Sequence, residues 1–424
     1  DLTIEADAAA ARRFKLRGGN KIVLSGDDLH RHFIVKNGYK LTIKNLDLKE
    51  GYSDDDGGSV YVDNGEVKIE DSIIRNNKVA SGKKGGAIYA TNSAIITISG
   101  STVENNEAPD GSGGALYLDT PDTANNKAVG VTLGSTIVKN NVADEGGSIA
   151  LGKESSLTST SCVFEGNEGK KGGAVYASEK NNLDIRDSEF KSNKATETYG
   201  GAIESLSCSS MELSKVIFDS NEAEEGGGGV FSEYTVGDHD CLNTLLEINF
   251  KNNLVKSAGK KGGAAMHLSA TDGTKAAHQQ HVITASNFTN NKEDSVDNDI
   301  SWNEGASQIL KAIDQDTAIG MDSGPSIPTT CHKHACFYKP LASGCSANGA
   351  GKIGIKCGCD MGVNTISADT SLKKTQMKTV IAILFASEGV ATDIIRTVDD
   401  NNRYVPPKGG TDPAAVKAAA EAAP

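Results

Sequence analysis

Three short stretches hold side chains able to do chemistry. Asp54, Asp55 and Asp56 form an acidic triplet just ahead of Gly57. Carboxylate oxygens are hard ligands that suit Ca²⁺, although a solvated turn is the plainer account of them. "GDHDC" (237–241) sets His239 between two carboxylates, the makings of a metal or acid–base site. One histidine in a polar loop is, however, ordinarily just exposed. "CHKHACFYKPLASGCSANGAGKIGIKCGCD" (331–360) packs Cys331, Cys336, Cys345, Cys357 and Cys359 into one segment. His332 and His334 would allow zinc there, but with no C-x2-C pair disulfides are favoured. Cys208 and Cys241 are two further disulfide candidates, whose bridge would tether a loop to its neighbour.

Such groups need a scaffold, and composition bounds it. A chain of 424 residues makes two or three ordinary domains, or one elongated repeat domain with appendages. Hydrophobic residues are 37%, aromatics only 5%, and glycines number 47, which suits a thin core fed by small residues. A net charge of −13 argues against nucleic acid or an anionic membrane as partner, since both need a basic patch. No stretch reaches the roughly 18 apolar residues of a membrane span. A start at Asp1 rather than Met reads as the result of a removed secretion signal, although a trimmed chain would look the same. Clustered cysteines fit an oxidising, extracytosolic compartment, and the sequon Asn287-Phe288-Thr289 is compatible with glycosylation there.

The strongest signal is a repeat. An asparagine recurs at Asn77, Asn106, Asn141, Asn167, Asn193, Asn221, Asn253 and Asn291. Three residues before each stands a large apolar group: Ile74, Val103, Val138, Phe164, Phe190, Phe218, Phe250 and Phe288. Glycine pairs begin at Gly57, Gly85, Gly113, Gly146, Gly172, Gly200, Gly226 (a run of four) and Gly262. Between these marks apolar and polar residues alternate, as in "GGAIYA" and "NLDIRDSEF", with no helical period. A strand–turn unit of two or three strands, repeating every 26 or more residues, is one coil of a parallel β-helix. Equal positions of successive coils then stack. The apolar column becomes core, the asparagine amides bond to one another at a bend, and glycine permits a tight turn. These asparagines are therefore structural first. Cys162 stands where other coils carry Ser72, Ser101, Thr136, Ser188 and Ser286, which predicts a buried, unreactive thiol. Extra residues at 119–128, 233–244 and 268–281 read as loops thrown out from one side of the stack, and residues 1–19 as a cap.

The pairing of G-G-A-[ILV] (85–88, 113–116, 172–175, 200–203) with F-x-x-N resembles the polymorphic outer-membrane proteins of chlamydiae and related β-helix repeat proteins of algae and protists. The resemblance covers about 41–291 and implies an extracellular right-handed β-helix used in surface display and adhesion, with no catalytic residues assigned to the repeat. Bacterial members end in a membrane β-barrel. Here the tail is cysteine-rich and then Ala/Pro-rich, which suits a eukaryotic secreted protein. The cysteine segment resembles an EGF-like module in its closely spaced last pair, with one cysteine fewer than the usual six. β-Helices also host pectin lyases and polygalacturonases, but the Asn-Thr-Asp and Gly-His-Gly signatures of the inverting hydrolases are missing from this sequence. Exposed aromatics along one face would favour carbohydrate binding, yet Trp302 is the only tryptophan and outward tyrosines look sparse.

The expectation is an all-β, right-handed parallel β-helix of about ten coils. The boundaries expected are a cap and first coils (1–50), repeats (51–320), a cysteine-rich module (321–362), and a short apolar segment with a low-complexity tail (363–424). The expected function is a non-enzymatic extracellular structural or adhesive protein, on a cell surface or in a filament such as a flagellar hair. Its expected partners are itself, other structural proteins or glycans, and it needs no cofactor. A carbohydrate-binding or carbohydrate-cleaving β-helix, or a host-cell adhesin, is the alternative.

Overall fold

The computed structural model describes residues 2–5, 21–120, 128–207, 209–234, 241–256, 262–270, 279–284, 286–293, 296–297, 300–302 and 310–313. Among these every element is a short strand, and there is no helix. One coil shows the plan. It runs through Glu66–Glu70, Ile73–Arg75, Lys78–Val79 and Ile88–Thr91, one strand in each of four sheets. The first sheet has 11 strands and the other three have ten. Each strand pairs in parallel with its counterpart in the next coil. Among the described residues the one antiparallel pair joins Lys292–Glu293 to Val296–Asp297. The fold is therefore a parallel β-solenoid, with four strands per coil rather than two or three. The strand that alternation misses is the one after each ladder asparagine, in most coils only two residues long, as in Lys78–Val79, and too short to show a period.

Alternation decides what is inside. In the first sheet Val67 and Ile69 face inward, in register with Ile96 and Ile98 of the next coil, and all four are fully buried. In the second sheet the inward column is Leu48, Ile74, Val103, Val138, then Phe164, Phe190, Phe218, Phe250 and Phe288. The five phenylalanine rings stack with centroids 4.5, 5.1, 4.8 and 5.0 Å apart, within 15° of parallel. Phe190, held between two rings, should cost about 3–5 kcal/mol of stability when changed to alanine. Denaturant midpoints would read this, and a cost below 1 kcal/mol would show that the column can collapse onto the gap.

The corner between second and third sheets carries the asparagine ladder. Each ladder residue is buried, and its Nδ2 donates to the Oδ1 of the next: Asn77 to Asn106 at 2.9 Å, and so on to Asn253 and Asn291 at 2.8 Å. The expected amide-to-amide bonds are all present. From Asn106 on, each Oδ1 also accepts the main-chain N–H of the preceding ladder asparagine, while that of Asn77 accepts the Gly51 N–H at 2.8 Å, and each Nδ2 also donates to a core-strand carbonyl one coil back, as Asn193 does to Phe164 at 2.9 Å. A parallel hydroxyl column marks the corner between first and second sheets, where Ser72 N–H donates to Ser101 Oγ at 3.0 Å. Cys162 occupies that column, 1% exposed, its thiol facing Thr160 O at 3.3 Å.

The first glycine of each pair takes a left-handed φ, for example +65° at Gly200. In the four-glycine run this position falls to Gly227 rather than Gly226, because Gly226 is spent bridging to Tyr199 of the coil before. Leu2–Glu5, which the sequence reading places in the cap, is already a strand of the first sheet, in register with Leu41–Lys44.

Outward charges stack as well. The column Arg75, Glu104, Lys139, Glu165, Lys191, Asp219, Lys251 in the second sheet changes sign at every coil. Lys139–Glu104, Lys191–Glu165 and Lys251–Asp219 close as ion pairs at 3.1, 3.5 and 3.0 Å. Exposed pairs of this kind add little stability singly, but a slip by one coil would set like charges opposite each other.

Candidate functional site: the insertion corner and the outer column of the fourth sheet

The corner from fourth to first sheet is ordinarily tight: residues 64–65 join Val60–Asp63 to Glu66–Glu70, and 92–94 join Ile88–Thr91 to Ile95–Ser99. All three insertions leave from this same corner. They lie between Leu116–Asp119 and Gly130–Gly134, between Val230–Tyr234 and Cys241–Leu246, and between Met266–Ala270 and Gln279–Thr284. The last two are on adjacent coils, and the first stands four coils earlier, about 19 Å along the axis by the strand spacing. Loops concentrated on one edge of a rigid stack are where recognition is ordinarily built.

Beside that corner runs a column in which the fourth sheet points outward. In register it reads Ile34, Tyr61, Tyr89, Tyr117, Ala150, Tyr176, Glu204, Phe231, His267. Outward tyrosines are thus not sparse: they stand in successive coils at the same place. The rings of Tyr61, Tyr89 and Tyr117 stack at 5.4 and 5.8 Å. Their faces are taken by each other and by cations, with Arg31 and Lys36 over Tyr61 and Lys84 over Tyr117 at 4.3 Å. A sugar ring would find no free aromatic face among them. Most of this outward column is buried nonetheless, because the connections from third to fourth sheet lie over it. Lys84 donates to Tyr117 Oη at 3.0 Å, and Tyr199 stacks on Phe231 at 4.2 Å. Burial raises the phenol pKa of Tyr89, Tyr117, Tyr176 and Tyr199. The hydroxyl of Tyr89 donates to Asp119 at 2.7 Å, at the root of the first insertion.

Glu204 interrupts the aromatic run and is 3% exposed. Burial pushes its carboxyl up to about 8, aided by Glu145 and Glu233 and opposed by Lys171 and a hydrogen bond from the Gly172 amide. Its Oε2 has no hydrogen-bond partner. An unfolded glutamate titrates near 4.5. The stability that the protonated form contributes is therefore complete below that pH and is lost as pH rises through about 8. Sequence reading passed over Glu204, and nothing but its place in register with the tyrosines would have marked it.

The residues singled out from sequence fare differently. The eight ladder asparagines come together as one column. Asp54, Asp55 and Asp56 turn to separate partners: Tyr52 Oη at 3.1 Å, Lys83 Nζ at 3.2 Å and the Lys84 amide at 2.9 Å. Among the described residues no group of three or more His, Cys, Asp or Glu is gathered to hold a metal ion. Asn287 is exposed on the second sheet, with Phe288 of its sequon in the core. The backbone of Cys241 is in the first sheet opposite Gln279, while Cys208 lies outside the described residues. So do His239, Cys331, Cys336, Cys345, Cys357, Cys359 and the short apolar segment and tail of 363–424. No helix among the described residues is long and apolar enough to cross a membrane.

Residues 71–91 and 161–178 match the model of the Chlamydia polymorphic membrane protein repeat. Each match spans a second-sheet strand, a ladder asparagine, a glycine pair and a fourth-sheet strand. The remaining units, from Asn106 to Asn291, build the same corner. No curated protein and no solved structure matches the chain. The chain is a parallel β-solenoid repeat protein that resembles the chlamydial polymorphic membrane proteins in sequence motif.

Proposed function

We propose that this is a non-enzymatic extracellular protein, structural or adhesive, whose solenoid joins to its own kind end to end and presents the insertion corner along one side. The observation that carries this reading is the N-terminal rung. Leu2–Glu5, Ile22–Ser25 and Phe33–Lys36 are edge strands of their sheets, with one side unpaired among the described residues. Leu2, Ile22, Val23, Leu24, Leu29, Ile34 and Tyr39 are all exposed there. An open, apolar edge is a template for a further strand. The resemblance to surface proteins of chlamydiae supports a cell-surface or filament setting.

Negative-stain electron microscopy of the native protein, with and without reductant, tests it. A single solenoid is about 50 Å long by the strand spacing. End-to-end arrays that shorten in an Ile34→Lys variant are the expected result, and their loss under reductant would bring in the cysteines of 331–359. Isolated rods of that length at every concentration would overturn self-assembly and leave display of the insertion corner.

A further inference from the structure

The outer column has a weak point at Glu204. Above it stands Phe231, stacked with Tyr199 and with His267, whose ring centroid is 5.5 Å away. Below it stands Tyr176. Over it comes the Gly172 amide, from the connection that also carries Lys171, which pairs with Glu145 at 3.2 Å. Glu233, two residues past Phe231, accepts from Ser269 at 3.0 Å. Glu225 lies on the next connection, beside Tyr199. Once Glu204 is charged, the groups facing it are two carboxylates and a lysine already engaged by one of them. Solvation for that charge is found only outside, past the connections that cover the column. The inner core lies on the other side of the fourth sheet, with Ile203 and Val230 fully buried, and has no part in this balance.

We propose that Glu204 is a proton-operated latch. While it keeps its proton, the connections before Val175–Ala177 and Ile203–Leu206 stay packed on the outer column. When the proton leaves, they lift, exposing Tyr176, Tyr199 and Phe231 while the inner stack stays wound. Opening of this kind is local, and it draws on the least apolar layer of the molecule.

Hydrogen exchange of the full chain, corrected for the intrinsic effect of pH, reads the latch directly. Peptides over 168–178 and 194–206 should lose protection roughly tenfold or more between pH 6.5 and 9.0. A peptide over 66–79 should not change. Glu204→Gln should abolish the dependence. Glu233→Gln, which keeps Glu204 but removes a like charge, should move the transition to lower pH than in the native chain. It therefore serves where Glu204→Gln does not fold. Protection that changes alike in native and Glu204→Gln chains, or is lost in every peptide together, or is flat in the native chain, would overturn the proposal. So would a transition that Glu233→Gln leaves unmoved.

Discussion

Replacing Asn193 with alanine is expected to destabilise the solenoid by on the order of 5 kcal/mol, far more than a polar-to-alanine change at a surface. Its Oδ1 accepts from the Asn167 main-chain N–H at 3.1 Å and from Asn167 Nδ2 at 2.9 Å. Its Nδ2 donates to Phe164 O and to Asn221 Oδ1, both at 2.9 Å. Alanine strands the first three of these partners in a corner with no exposed surface, at about 1–3 kcal/mol each. Asn221 Oδ1 keeps the Asn193 main-chain N–H, at 3.0 Å, and is spared. Asn193→Asp separates the two halves of the role: the acceptor survives, while the donor is replaced by an oxygen aimed at two other oxygens. It should be worse than alanine at neutral pH and improve in acid. Denaturant unfolding followed by far-UV circular dichroism would measure both. A cost below about 1.5 kcal/mol for each would mean that water or rotation of the neighbours replaces the ladder.

The second large effect concerns a glycine whose backbone is ordinary. Gly200 has a left-handed φ, but Gly201 beside it does not, and alanine would fit the local chain there. What forbids it is the coil above. A Cβ on Gly201 would lie 2.2 Å from Gly228 O and 2.6 Å from Glu222 O, both main-chain atoms. The coils would have to part, breaking the bond from the Gly201 amide to Gly227 O at 3.0 Å. Gly201→Ala should therefore cost more than about 4 kcal/mol or prevent folding outright. Gly82 supplies the opposite case, with a φ of +77° and nothing within 4 Å of its Cβ position. Gly82→Asn should be nearly neutral, since asparagine tolerates that conformation. Comparable melting temperatures for the two variants would show that coil spacing is slack enough to admit a methyl group.

These two cases show how unevenly the molecule can be read from its sequence. The ladder asparagines and the Phe164-to-Phe288 column were legible because a solenoid converts equal repeat positions into contacts, so recurrence along the chain is adjacency in space. The third-sheet strands, such as Lys78–Val79, were not, since two residues carry no period. The shift of the turn glycine to Gly227 was hidden because four identical residues offer no mark of register. Tyr61, Tyr89, Tyr117 and Tyr176 recur as plainly as the asparagines, yet their alternation assigns them to solvent.

By itself, the sequence determined that this chain winds into a parallel β-solenoid, and which residues stack at its core, because a fixed period leaves those side chains one place to go. Only the tertiary structure decided that a second, outward layer is also enclosed. Whether an outward side chain is wet depends on how the connection before it folds back, and that path is set by contacts such as Lys84 to Tyr117 and Tyr199 to Phe231, made between coils. The same folding-back leaves Glu204 out of water.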